Sequence, residues 1–523
     1  MANAFEVAPY SIDALKRLLR QGAKVSALVV SRKQHTKYFR SYFEALMAKT
    51  IVSEADYIDR DYLEDFAGYY VRCFPNYARR CRRLHFFNFT FSQDDFANLL
   101  ASPANKKALA RFQKGYLGFV VVKPLPETII GRTCLRTYIE NDERCFPITR
   151  HYEANLFGIP LTVKSLAYQE QDRVAAACAT SALWSVFHGT GKLFHHHIPS
   201  PVEITRAANV FVPSSSRSLP SSGLTVFQMA QAMRSVSLEP YYVKASDEYV
   251  LKSTLYAYLR GRVPVLLGID LYEMEKGKAH FDGKHAVTAT GFRLEKPKPE
   301  PHGDTKFLLR ASRMNKLYAH DDQVGPFARM VLDGVQITIH PANKPPSKQT
   351  SLTTSWVPRL GDQVRAVPDI MLVPLYHKIR IPFDRVHDAV VRFDSFVEEL
   401  RKLAPNVLRE RFEWDIYLTN ANELKSEILK ANSINGRDKQ QVLSQPMPRF
   451  IWRAAGRFGE ATILDLLFDA TDIEQGDFFV RAVEYDAGVS KFFRMIARER
   501  SLLRLFDLGG ESRIVNWFAK QPV

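Results

Sequence analysis

YQEQDRVAAACATSALWSVFHGTG, residues 168–191, places one cysteine at the head of an apolar run. Beyond Cys178, the residues Ala179, Ala182, Leu183, Val186 and Phe187 recur with helical spacing, and Gly189 and Gly191 close the pattern. The spacing predicts a helix that begins at the cysteine and stops at the glycines. A thiol at that position faces unpaired backbone N–H groups and the positive end of the helix dipole, both of which favour a negative, nucleophilic sulfur. The competing reading is a buried, inert thiol in a closely packed small-residue helix, because free cysteine is among the most buried residue types.

A nucleophilic thiol needs a base. FDGKHAVTATGFRLE, residues 281–295, puts His285 after Gly283 at the start of a β-prone run that ends at Gly291. If that strand packs beside the cysteine helix, His285 takes the thiol proton and later returns it to a leaving group. The imidazole must be held in one tautomer, and KFLLRASRMNKLYAHDDQVGPF, residues 306–327, offers Asp321, with Asn315 and Asp322 as competing orienters. Gln171 is the candidate side-chain donor to an oxyanion, with Gln169 as its alternative and the Cys178 N–H as its partner.

The order Gln, Cys, His-Ala-Val, Asp resembles that of papain-like cysteine peptidases. Within them the chain is most similar to the bacterial C39-like group. The CATSALW helix start carries that likeness, with GLTVFQMAQAMRSVSLEP (223–240) and RGRVPVLLGID (260–270) as further matches. The resemblance implies an α+β papain-like core, a thiol protease triad of Cys178, His285 and Asp321 with Gln171 at the oxyanion, and neither cofactor nor metal. It equally admits deamidation or transamidation through the same thioester. The sequence departs from the papain pattern in three ways: Ala177 and Ala179 flank the cysteine, Trp184 lies within the helix, and Gln171 stands one residue further from the nucleophile.

The chain has 523 residues, too many for one hydrophobic core. The expected organisation is α+β: an N-terminal α/β or α+β domain (1–158), the papain-like domain (159–345), an exposed Pro/Ser/Thr/Lys-rich connector (346–368) and a helix-rich C-terminal domain (369–523). SIDALKRLLRQ and FDRVHDAVVRFDSFVEELRKL read as amphipathic helices, and GYLGFVVV (115–122) as a buried strand. The first 30 residues lack the pattern of a signal peptide, and no apolar run approaches the roughly 20 residues that span a bilayer. Five thinly spread cysteines, an odd number, fit no disulfide framework, so a reducing cytoplasm is expected.

The net charge of +16 allows attraction to nucleic acid or to acidic protein without choosing between them. The densest basic cluster, Arg79, Arg80, Arg82 and Arg83, stands beside Tyr77, His85, Phe86 and Phe87, a mixture suited to phosphates and bases, although a solvated helix end explains it more simply. A second function class follows: a catalytically silent papain-like domain in a basic interaction protein. His195, His196 and His197, near His188, read as a solvated loop rather than a metal site, because adjacent histidines point in different directions.

Overall fold

A computed structural model describes residues 4–522 apart from 103–104, 142, 173, 175–176, 211–218, 220–222, 341–344, 435, 474–477 and 500–511. With 36% helix and 34% strand, the protein is mixed α/β. Its contacts define two units, each assembled from separated stretches: Met1–Asp247, Arg262–Arg293 and Asn315–Pro374 in the first, and Glu248–Gly261, Leu294–Met314 and Leu375–Val523 in the second. The chain therefore passes between units several times, where sequence composition suggested consecutive domains. No described helix is long and apolar enough to cross a membrane.

The first unit opens with a five-stranded sheet in chain order: Phe5–Pro9, Thr50–Tyr57, Cys81–Phe87, Tyr116–Val122 and Ile130–Leu135. Every neighbouring pair is antiparallel. Tyr116–Val122 is buried throughout, as its apolar run predicts. The helix Ile12–Ala23 is capped by Ser11, whose hydroxyl accepts the Ala14 N–H at 3.0 Å. The arginine cluster is no helix end: Arg82 and Arg83 lie on Cys81–Phe87, and Arg83 is buried. Its guanidinium donates to Glu54 at 2.8 Å and to the Asn155 carbonyl at 2.5 Å, and stacks 4.0 Å over the Tyr57 ring. His85, Phe86 and Phe87 are buried beside it.

A second sheet follows the order Val265–Glu275, Lys278–Leu294, Met314–Asp321, Gly325–Val331, Leu352–Thr353, Gln363–Tyr376 and Leu238–Lys244. It closes on itself, because Val265–Glu275 pairs antiparallel with both Lys278–Leu294 and Gln363–Tyr376. The stretch 346–368 is thus no simple connector: it holds Ser347–Thr350, Leu352–Thr353 and the start of Gln363–Tyr376. Its polar residues satisfy one another. Buried Arg365 donates to Ser351 at 2.6 Å, to Thr353 at 2.9 Å and to Asp333 at 2.6 Å.

The second unit holds a sheet as well as its helices. Phe383–Leu403 is a 21-residue helix, as its periodicity predicts. Around it stand other helices and a five-stranded sheet ordered Leu308–Leu309, Glu413–Asn420, Phe450–Phe458, Ala461–Asp469 and Phe479–Glu484. Those strands are buried nearly end to end, so they lack the alternation that marks a half-exposed strand.

Candidate active site

Cys178 is the first residue of the helix Cys178–Phe194, with Ala177 as N-cap. The helix does not stop at its glycines. A Cβ on Gly189 would sit 2.9 Å from the Pro264 ring, and one on Gly191 2.6 Å from Ile198, so these positions are small because neighbours press on them. The chain leaves the helix only at His195, which adopts a left-handed conformation with φ 60°. Nearly every residue after Cys178 is buried, and the cysteine itself is half-buried.

His285 lies within a strand and not at its start. Lys278–Leu294 begins seven residues earlier, pairs with Val265–Glu275 through an irregularity opposite Leu271 and Tyr272, and is buried from His285 to Phe292. Three residues beyond His285, the Thr288 hydroxyl donates to the Ala182 carbonyl of the cysteine helix at 2.7 Å. That bond ties the histidine strand to the first turns of the helix and sets the register of the two side chains.

The Cys178 thiol is among the groups that favour the charged form of the His285 ring. Its Nε2 stands 3.0 Å from Asp321 Oδ1 and 3.3 Å from Asp322 Oδ1. Burial alone would push the imidazole toward its neutral form, but the negative charges of Asp321 and Asp322 outweigh it and hold His285 well above the usual histidine range. Asp321 is also buried, and there the His285 charge, with bonds from His285, the Trp356 indole and the Gln323 N–H, prevails and holds its carboxyl below the usual range. Trp356 Nε1 donates to Asp321 Oδ2 at 2.7 Å, and the Gln323 N–H to Oδ1 at 3.1 Å. The indole meets the His285 ring edge to face, with centroids 5.4 Å apart, and so covers the His285–Asp321 pair.

Asp322 differs from its neighbour. Both its carboxylate oxygens are buried and accept no hydrogen bond among the described residues, and burial pushes it up to about 7. Its backbone carbonyl accepts from His35 Nε2 at 3.0 Å, and the same nitrogen is 2.7 Å from the Tyr168 hydroxyl. Nε2 of His285 and one oxygen from each aspartate also lie within 4.8 Å of one another, close enough to share a cation.

The two glutamines part company. Gln169 is buried, and its amide nitrogen bonds nothing among the described residues. Gln171 is half-buried and lines a cleft of about 540 Å³ with Lys33, His35, Gln323 and Val357. Asn315, the remaining candidate orienter, is not drawn to His285 by any described bond, although it lies on the same strand as Asp321. The other histidines do not assemble: buried His188 packs 4.2 Å from the Trp184 ring, while His196 Nε2 bonds Thr190 at 2.8 Å. Trp356 and Thr288 went unread in the sequence. The first falls in a stretch with connector composition, and the second is one of several threonines on a strand.

No family model matches the chain, and no curated protein matches it significantly.

Proposed function

We propose that the protein is a papain-like cysteine hydrolase, a peptidase in the first instance, with Cys178 as nucleophile, His285 as base and then acid, and Asp321 as orienter. The observation that carries this reading is one buried imidazole whose charged form the thiol of a helix-heading cysteine favours, and which stands 3.0 Å from a buried carboxylate that accepts two further hydrogen bonds. In the proposed reaction the sulfur attacks a carbonyl carbon, and His285 delivers its proton to the departing amine. Water, activated by the same ring, then releases the acyl group from the thioester. Gln171, which lines the cleft, is the candidate side-chain oxyanion donor, with the buried and unpartnered amide of Gln169 as its alternative. Deamidation and transamidation share every step up to the thioester.

A thiol-directed electrophile tests the reading. It should label the protein at Cys178 near neutral pH, and both Cys178→Ala and His285→Ala should reduce that labelling to background. Undiminished labelling of Cys178→Ala would sink the assignment. The three-ligand cluster supplies a second reading, a metal centre at His285, Asp321 and Asp322. A chelator separates the two. The triad keeps its reactivity after chelation, whereas loss of activity that added zinc restores would move the site to the metal class.

A further inference from the structure

The basic segment before and within Cys81–Phe87 has a structural role only in part. Arg83 is spent on Glu54, but Arg79 and Arg80 are exposed and Arg82 is half-buried. These three line a cleft of about 370 Å³ together with Lys24 and Asp56. The cleft shares Gln21, Ala55 and Arg82 with an adjoining one of about 360 Å³ that Glu6 also lines. The two clefts run together beside the start of Cys81–Phe87 and the end of the helix Ile12–Ala23.

Four cations and two carboxylates face that groove, so cations are in excess. Glu6 is taken by Arg17 at 2.5 Å. Among the described residues none of Lys24, Arg79, Arg80 or Arg82 has an ion pair closer than 4 Å. Arg82 donates only to the Ser53 hydroxyl, at 2.8 Å. Its guanidinium is desolvated by burial, an effect only partly offset by Glu6 and Asp56 and reinforced by Arg17, so its pKa falls below the usual arginine value. A half-buried arginine with a hydroxyl as its sole partner is a charge prepared for an external anion. Five residues before Arg79 on the same exposed segment stands Phe74, an aromatic side chain wholly open to solvent.

We infer that this groove binds single-stranded nucleic acid, its phosphates held by Arg79, Arg80, Arg82 and Lys24 and a base stacked on Phe74. A groove lined by unpaired arginines suits a polyanion, and an exposed ring five residues away along the chain offers the stacking face that sequence-tolerant single-strand binding uses. The aromatic that serves is Phe74, and not Phe86 or Phe87, which the sheet buries. The site is separate from Cys178 and stands whether or not the protein is a hydrolase.

The test is fluorescence anisotropy of the full-length protein with a labelled single-stranded oligonucleotide over a salt series. Arg79→Gln/Arg80→Gln and Phe74→Ala alter exposed side chains, so folding is preserved. Binding by the unaltered protein should weaken linearly with log salt. The double arginine variant should bind more weakly and lower the slope by about 1.4, roughly 0.7 for each lost phosphate contact. Phe74→Ala should weaken binding roughly tenfold with the slope unchanged. Absence of binding at the lowest salt, or an arginine variant that behaves like the parent, overturns the inference. So does equal affinity of the parent and Phe74→Ala for the oligonucleotide, with a phosphopeptide binding as well, because the groove would then be an anion site for another class of partner.

Discussion

Asp321 and Asp322 are neighbours in sequence and opposite in circumstance. Asp321 accepts three hydrogen bonds, while Asp322 accepts none among the described residues. A buried carboxylate without donors is penalised in its charged form, and one with three donors beside a cation is stabilised in it. The stability consequences follow by linkage. His285 has a raised folded pKa, so its contribution is complete below about pH 6.5, its unfolded value, and is lost as pH rises toward the folded one. In that window stability should fall by up to about 1.4 kcal/mol per pH unit. Asp321→Asn should flatten the fall, as urea midpoints between pH 6 and pH 9 would reveal. Asp322 is an acid with a raised folded pKa, so its charging costs stability as pH rises from about 4 to about 7. Asp322→Asn should therefore raise the urea midpoint more at pH 8 than at pH 5. Trp356→Phe keeps the cover over His285 but removes a donor to a charged carboxylate, and a loss of roughly 1–3 kcal/mol is expected in the same measurement.

At the scale of elements, the site depends on how one helix and one strand are pressed together. The cysteine helix is approached by Pro264 at Gly189 and by Ile198 at Gly191, and is bonded by Thr288 at Ala182. Gly189→Ala should cost about 1–3 kcal/mol, because its Cβ would need the Pro264 ring to move, and thermal unfolding would register this as a lower midpoint. Thr288→Val should cost only about 1 kcal/mol. It should nevertheless slow thiol labelling at Cys178, because the bond it removes holds the histidine strand to the helix. Of these features the helix start and the β-prone run at His285 were legible, since both rest on local periodicity. The helix end was not: glycines that read as punctuation are in fact points of close approach. Spacing alone did not show that Gln171 lines the cleft while Gln169 is buried with an unpartnered amide nitrogen.

Over the whole molecule, two units share one chain that crosses between them repeatedly. The helix Glu248–Arg260 precedes the histidine strand in sequence yet belongs with the second unit, where the Tyr256 hydroxyl bonds Asp415 at 2.8 Å. The short strand Leu308–Leu309 likewise pairs in parallel with Glu413–Asn420. A chain ended at Pro374 would leave both without the sheet they pack on. Such a truncation should bind an apolar dye and unfold at lower temperature than the full chain.

What the sequence determined by itself is local: a helix headed by Cys178, a strand carrying His285, a buried run at Tyr116–Val122 and the amphipathic helix Phe383–Leu403. Each is written in spacing within a dozen or so residues, where backbone geometry translates pattern directly into structure. The tertiary structure decided which aspartate is bonded and which is stranded, that Trp356 covers the pair, that Arg83 is spent on Glu54 while Arg82 is not, and that five-stranded and closed sheets draw on distant segments. Those outcomes turn on burial and hydrogen-bond partners far apart in the chain, and neither quantity exists until the chain has folded.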